Sequence, residues 1–341
     1  MRALIPSLLS GTPTRARVLI AVLAVFLLAL PLFANAYLLS VAILILYFAY
    51  VVQAWNVMMG FCGQLSLGHS LYVGIGAYVA AALFVHFGIP PWIGVWAAIL
   101  ACMLAGAVIG ALAFRFEIGG VYFALLTIAF AEFTRIGFDH LDWTGGSGGF
   151  FLPVAQRAVN DIGALRGSPT MFYYLMLGLV AAAFAFCAWL LRTRIGYYWQ
   201  AIREDPDAAQ ALGINTFRYK MLAVIISSGM TALSGVFFAF YYNNLFPEQI
   251  FHMSRSIEII LGPIIGGVGT LFGPILGAVV ITVLGDGITE VIAAMGWEIP
   301  GVKQVFYGLC LLVVVMFLPN GIWPTLARRL GLAQREEQRH D

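Results

Sequence analysis

The sequence predicts an all-α polytopic membrane protein of about ten transmembrane helices (8–10), some broken or re-entrant, with both termini in the cytoplasm. Three observations carry that prediction. Of 341 residues, 62% are hydrophobic and only 10% charged, and the mean hydropathy is +0.93. Apolar runs long enough to cross a hydrocarbon core of about 30 Å recur from one end of the chain to the other, which excludes a water-soluble fold. The basic residues lie in short clusters between those runs, so they speak to topology and form no continuous face for nucleic acid.

In order, the spans fall near residues 18–33, 36–59, 65–87, 91–114, 119–138, 170–191, 218–242, 256–270, 272–291 and 302–320. The eighth and ninth are short and interrupted by glycine, which suits re-entrant segments as well as full crossings. Residues 1–17 form a cytoplasmic N-terminal segment, 18–325 the transmembrane domain and 326–341 a polar cytoplasmic tail. Within the domain, 139–169 contains WTGGSGG and is expected outside, whereas 192–217 is expected in the cytoplasm. This arrangement puts Arg15, Arg17, Arg115, Arg192, Arg194, Arg203, Arg218, Lys220, Arg328 and Arg329 inside and leaves few basic residues outside, as the positive-inside rule requires. Arg15 and Arg17, an apolar run and then Ala34-Asn35-Ala36 imitate a cleavable signal peptide. Because the apolar pattern resumes almost at once, an uncleaved first helix is preferred. The cysteines Cys62, Cys102, Cys187 and Cys310 sit in or beside apolar segments without CxxC spacing, and they read as small packing residues rather than metal ligands.

The loop from Arg203 to Asn215, REDPDAAQALGIN, carries a complete set of signals for a short helix. Asp205 is a good N-cap, Pro206 suits the first helical position, Asp207 favours the positive end of the helix dipole, and Gly213 closes the helix in a left-handed conformation. The expected product is about two turns, roughly 10 Å long. Ala208, Ala209, Ala211 and Leu212 give it a narrow surface that fits a cleft on another protein; a solvated loop helix is the plainer alternative.

DAAQALG, Asp207 to Gly213, resembles the EAA-xxx-G loop of ABC importer permeases, with Asp replacing Glu and the charge kept. The longer RTRIGYYWQAIREDPDAAQALGIN, together with GQLSLGHSLYVGIGAYVAA from Gly63, TGGSGG from Thr144 and SIEIILGPIIGGVGTLFGPILGA from Ser256, is similar to the M-type permease of branched-chain amino acid importers. The resemblance implies a bacterial inner-membrane subunit without catalytic activity. It also implies that Glu204, Asp205, Asp207, Ala208, Ala209, Leu212 and Gly213 couple it to an ATPase. The implied partners are a second permease subunit forming a heterodimer, two cytoplasmic ABC ATPase subunits, a periplasmic substrate-binding protein and membrane lipid. The chain itself is expected to bind no cofactor or metal, ATP and Mg being held by the partners. The sequence agrees: its only lysines, Lys220 and Lys303, do not follow glycine as a P-loop lysine must.

Two glycine-rich stretches interrupt hydrophobic regions, one around Gly63 and Gly68, the other around Gly266, Gly267, Gly269, Gly273 and Pro274. Paired interruptions point to a translocation path, because broken helices expose backbone only where protein or a cavity satisfies it. Close helix packing at small-xxx-small spacing is the alternative. Gln64, Ser66 and His69 either line that path or satisfy the broken backbone. Glu132 and Arg135, three apart, are expected to pair on one helix face.

Other functions remain in view. A urea, amide or other amino acid importer is the near alternative. A proton-coupled secondary transporter would use Glu132 or Asp286 but leaves the acidic loop unexplained. Gly145-Gly146-Ser147-Gly148 fits the GxSG of an intramembrane serine protease, yet it lies in a polar, glycine-rich loop without an evident base.

Overall fold

The computed structural model describes residues 14–153, 161–294 and 301–329. The expected terminal segments therefore lie mostly outside the described residues, as do the side chains of Asp286 and Glu290. The helices are α1 (Thr14–Phe33), α2 (Ala36–Asn56, prolonged by a π-helical turn Val57–Phe61), α3 (His69–Phe87), α4 (Pro91–Arg115), α5 (Gly120–Asp139) and α6 (Pro169–Leu191). Next come α7 (Arg194–Glu204), α8 (Pro206–Ala211), α9 (Thr216–Tyr242), α10 (Pro247–Ile250), α11 (Met253–Gly266), α12 (Gly273–Ala294), α13 (Val302–Phe317) and α14 (Ile322–Arg329). Among the described residues six of these are long and apolar enough to cross a membrane: α2 with its π turn, α3, α4, α5, α6 and α9. Shorter apolar stretches occur at Ala24–Phe33, Gly273–Gly285 and Gln304–Val314. The chain is thus an all-α polytopic membrane protein.

Local chemistry sets the helix ends. Asn35 caps α2 through a 2.8 Å bond from Leu38 N, and Asn215 caps α9 through a 2.9 Å bond from Arg218 N. Proline opens α4, α6 and α8, where a missing amide costs nothing. Two expected boundaries move. The span expected at 65–87 begins its helix only at His69, residues 63–68 being irregular backbone with Gly63 at φ +73°. That expected at 256–270 is the 14-residue α11, about 21 Å long, too short to cross alone.

Packing separates an inner from an outer set of helices. In α2 and α9, 67% of the apolar window is buried, against 22% in α5, whose Val121, Tyr122, Leu125 and Phe133 are exposed on the outside of the bundle. The inner helices approach through small residues: a Cβ at Gly235 of α9 would collide with Val73 O of α3, and one at Gly277 of α12 with Gly262 O of α11. Without a hydrophobic drive between helices in lipid, such backbone contact supplies the van der Waals attraction that holds them. The Glu132–Arg135 pair forms as expected (Arg135 Nε to Glu132 Oε1, 2.9 Å), and Asp139 joins it at 2.8 Å from Arg135 Nη1.

At the end of the bundle that holds residues 139–153, Asp142–Thr144 and Gly146–Gly148 form two 3-10 turns, with Gly145 (φ +82°) and Gly149 (φ +88°) in conformations natural to glycine. They lead into β1 (Phe150–Phe151), paired antiparallel with β2 (Asn244–Leu245), so Phe150 faces Leu245. Ser147 is exposed here. The four described histidines bond Ser66 and Ser227, Trp143 O, Ile136 O and Ser254 respectively, and none of these bonds is to Ser147. Cys62, Cys102 and Cys187 are buried in apolar clusters.

A candidate coupling loop and two joined helix breaks

The loop expected to carry a short helix does so, and every cap forms. Asp205 Oδ1 accepts from Asp207 N at 2.9 Å and Ala208 N at 3.0 Å, and Pro206 fills the first position. At the other end Gly213 (φ +87°) donates to Gln210 O at 2.9 Å and Ile214 to Ala209 O at 3.1 Å, the paired bonds of a Schellman motif. Sequence reasoning missed that α8 rides on a second helix. In α7, Gly196, Trp199 and Ile202 are buried at three-residue spacing, and Trp199 Nε1 donates to Tyr219 O at 2.8 Å, fastening α7 to α9.

One residue of the expected docking face is corrected. Ala209 is only 2% exposed and packs with Trp199, Ile202 and Ala223 of its own chain, so it anchors α8 from below. The open face instead carries Asp207, Ala208, Gln210, Ala211 and Gly213 around Leu212, which is 82% exposed. Glu204 and Asp205 are also exposed, at the α7–α8 junction.

The two glycine-rich breaks meet. The first runs from the π turn of α2 through Gly63 to Gly68, the second from Gly267 to Phe272 between α11 and α12. Asn56 joins them with both ends of its amide: Oδ1 accepts from Gly269 N at 2.9 Å and Nδ2 donates to Thr270 O at 3.0 Å. Gln53, one turn earlier, donates to Leu271 O at 3.2 Å. Within the second break Thr270 Oγ1 donates to Gly267 O at 2.8 Å and accepts from Gly273 N at 3.0 Å. Gly267 (φ +127°) lies where a Cβ would come within 3.0 Å of Pro324 Cδ. A Cβ at Gly266 would meet Gly273 O, and Pro274 is buried at the start of α12.

Of the polar candidates, Gln64, Ser66 and His69 are enclosed by their own chain. Gln64 Nε2 donates to Cys62 O at 3.0 Å. His69, fully buried, bridges Ser66 Oγ at 3.1 Å and Ser227 Oγ at 3.0 Å. Ser227 donates its one hydroxyl proton to Ala54 O at 2.7 Å, so it accepts from His69 Nε2–H, and Nδ1 accepts from the Ser66 hydroxyl. The imidazole is satisfied at both nitrogens. Gly68 is held by close approach, since a Cβ there would strike Thr127 O. Ser70 and Ser256, at the starts of α3 and α11, join across the core at 2.8 Å. Asn56, Arg203, Ser227 and Ser256 are the residues sequence reasoning passed over. Asn56 near the end of a 21-residue apolar helix was the available signal, because an amide in lipid must find partners.

The described residues form a bundle of apolar helices in which two broken segments are tied together, the architecture of a polytopic membrane protein. The family described as branched-chain amino acid transport system / permease component matches residues 37–315, and the chain belongs to that family. It is 26% identical over 345 residues to the high-affinity branched-chain amino acid transport system permease protein LivM of Escherichia coli, an alignment covering 95% of this chain and 79% of that protein. To the corresponding permease protein LivH of Salmonella typhimurium it is 24% identical over 291 residues, 81% of this chain and 90% of that one. With the autoinducer 2 import system permease protein LsrC of Salmonella typhi it shares 30% identity over 181 residues, 51% of this chain and 49% of the other. No solved structure matches.

Proposed function

We propose that this chain is the M-type permease subunit of an ATP-driven importer of branched-chain amino acids in a bacterial inner membrane. The observation that carries the reading is the union of the two glycine-lined breaks against Arg203 of α7, the helix that leads directly into the capped, open-faced α8. In this reading α8 docks in a groove of an ATPase subunit, two such ATPases bind and hydrolyse ATP with Mg, and closure of their dimer pushes α7 and α8. A second permease subunit, of the LivH kind, completes the path, and a periplasmic binding protein delivers the substrate. About ten segments then lie in the membrane, α11 and α12 as a short pair joined by the second break, with both termini and the α7–α8 loop in the cytoplasm. The concentration of arginine at the α8 end supports that orientation.

The binding protein sets much of the selectivity in such an arrangement, so the test must exchange it. Vesicles containing both permeases and the ATPases are supplied in turn with a leucine-binding and a urea-binding protein. The expected result is ATP-dependent accumulation of labelled leucine and none of urea. Accumulation of urea alone would move the chain to the amide importers, and accumulation by this chain without ATPases would make it a secondary transporter.

A further inference from the structure

Arg203 stands where three parts of the molecule meet. It is the penultimate residue of α7 and lies two positions before the Asp205 cap, so a displacement of α8 reaches it through Glu204 and one extended residue. Its Nη1 donates to Gly60 O over 2.6 Å. That carbonyl belongs to the last turn of the α2 extension, where helix carbonyls run out of following amides and must find partners elsewhere.

The surrounding glycines are shaped to this side chain. At Gly63 (φ +73°) a Cβ would stand 3.2 Å from Arg203 Cα and 3.4 Å from its Cγ, and at Gly269 (φ +81°) a Cβ would collide with the guanidinium. One glycine from each break therefore leaves room for the same arginine. Among the described residues Arg203 makes no ion pair, those present belonging to Arg135. Its direction is fixed by backbone, not by a carboxylate. Beside it opens a crevice of about 420 Å³, bounded by Tyr197, Gln200 and Glu204 as well as by Gly60 and Gly269, which gives the stem space to swing.

We infer that Arg203 is the positioning residue that transmits displacement of the coupling helix to both helix breaks. Its root moves with α7, and its tip holds Gly60 O against the Gly269 turn that Asn56 ties to α2. A planar guanidinium can bond the carbonyl and lie against the glycine backbone at once; lysine supplies a single point donor on a more flexible stem. The inference rests on the proposed docking of α8 to an ATPase.

The test compares Arg203→Met, Arg203→Lys and Ala211→Asp in the full complex, with spin labels on the exposed Arg194 of α7 and on Phe272 of the second break. Arg203→Met is expected to insert and to co-purify with the ATPases as wild type does. Its leucine uptake per ATP hydrolysed should fall about tenfold, as loss of a charged hydrogen bond in the coupling route implies. On binding a non-hydrolysable nucleotide, the Arg194 label should still move while the Phe272 label stays. Arg203→Lys should recover about half of the uptake. Loss of ATPase assembly in Arg203→Met, full movement of the Phe272 label, or methionine performing as well as lysine would overturn the transmission role. Ala211→Asp, on the open face of α8, should lose assembly itself. If it assembles normally, the docking reading fails, and that outcome is distinct from any at Arg203.

Discussion

Removing the Asp205 carboxylate tests whether α8 is ordered before it meets a partner. One oxygen of that side chain serves both free amides of the first turn, those of Asp207 and Ala208; Pro206 has no amide, and Ala209 N already bonds Asp205 O at 3.0 Å. Both amides sit on exposed residues, so water replaces the carboxylate in Asp205→Ala. The loss is that of an N-cap, about 1 kcal/mol in a range of about 0.5–2, and not the larger penalty of a buried orphan. About 1 kcal/mol lowers the ratio of ordered to frayed helix roughly fivefold. A partner that binds only the ordered helix loses affinity in proportion to the ordered fraction, so a loss of up to roughly fivefold is expected for a cap worth about 1 kcal/mol. Asp205→Asn keeps an acceptor at the same place and should remain within about twofold of wild type.

The assay is a titration of purified ATPase subunits onto the permease pair in nanodiscs, read by fluorescence anisotropy. A loss in Asp205→Ala far beyond fivefold, or equal damage from asparagine and alanine, would mean that the carboxylate touches the partner directly. Unchanged affinity in Asp205→Ala would mean that helix order does not limit docking. Each of these results refutes the capping argument.

Two further predictions concern the breaks and the orientation. Leucine at Gly267 or Gly269 should abolish transport at normal membrane expression, since both have positive φ and close neighbours, whereas Gly178→Leu should be tolerated because a Cβ there meets nothing within 4 Å; equal tolerance at all three would remove the breaks from the mechanism. In a cysteine-free background, Asp207→Cys should label only from the cytoplasm and Ser147→Cys only from outside, both positions being exposed and separated by the single span α6; labelling from one side would overturn the proposed orientation.

What the sequence made legible was whatever depends on neighbours in the chain. Apolar length gave α2, α4, α6 and α9 nearly to their ends, and the Asp205, Pro206 and Gly213 signals gave α8 with both caps, because a cap is decided by residues within one turn. Facing was harder. Six residues are under two helical turns, too few for a period to show that Ala209 points inward, and only α7 beneath it supplies the surface that buries Ala209. The spacing of Gly196, Trp199 and Ile202 was readable as an amphipathic face, but a polar loop between two long spans drew no search for one. The β1–β2 pairing involves two residues from each of two segments far apart in the chain, and nothing local distinguishes them.

The glycines were legible as breaks but not in what they make room for. Read along the chain, Gly63 and Gly269 look like exposed backbone awaiting a substrate; in space each faces Arg203, a residue of a third segment. The polar residues next to them divide in the same way. Gly60 O is held from α7 through Arg203, while His69, nine residues on, is held from α9 through Ser227. The stretch between has its two ends bound to different elements, and Gly63, near its middle, adopts a left-handed backbone that a side chain would strain. Through these two bonds a relative motion of α7 and α9 would load the stretch between Gly60 and His69. That loading offers a reason for the interruption of this helix besides a need to expose its backbone, because the Gln64 amide nitrogen, Ser66 and His69 already bond within the chain.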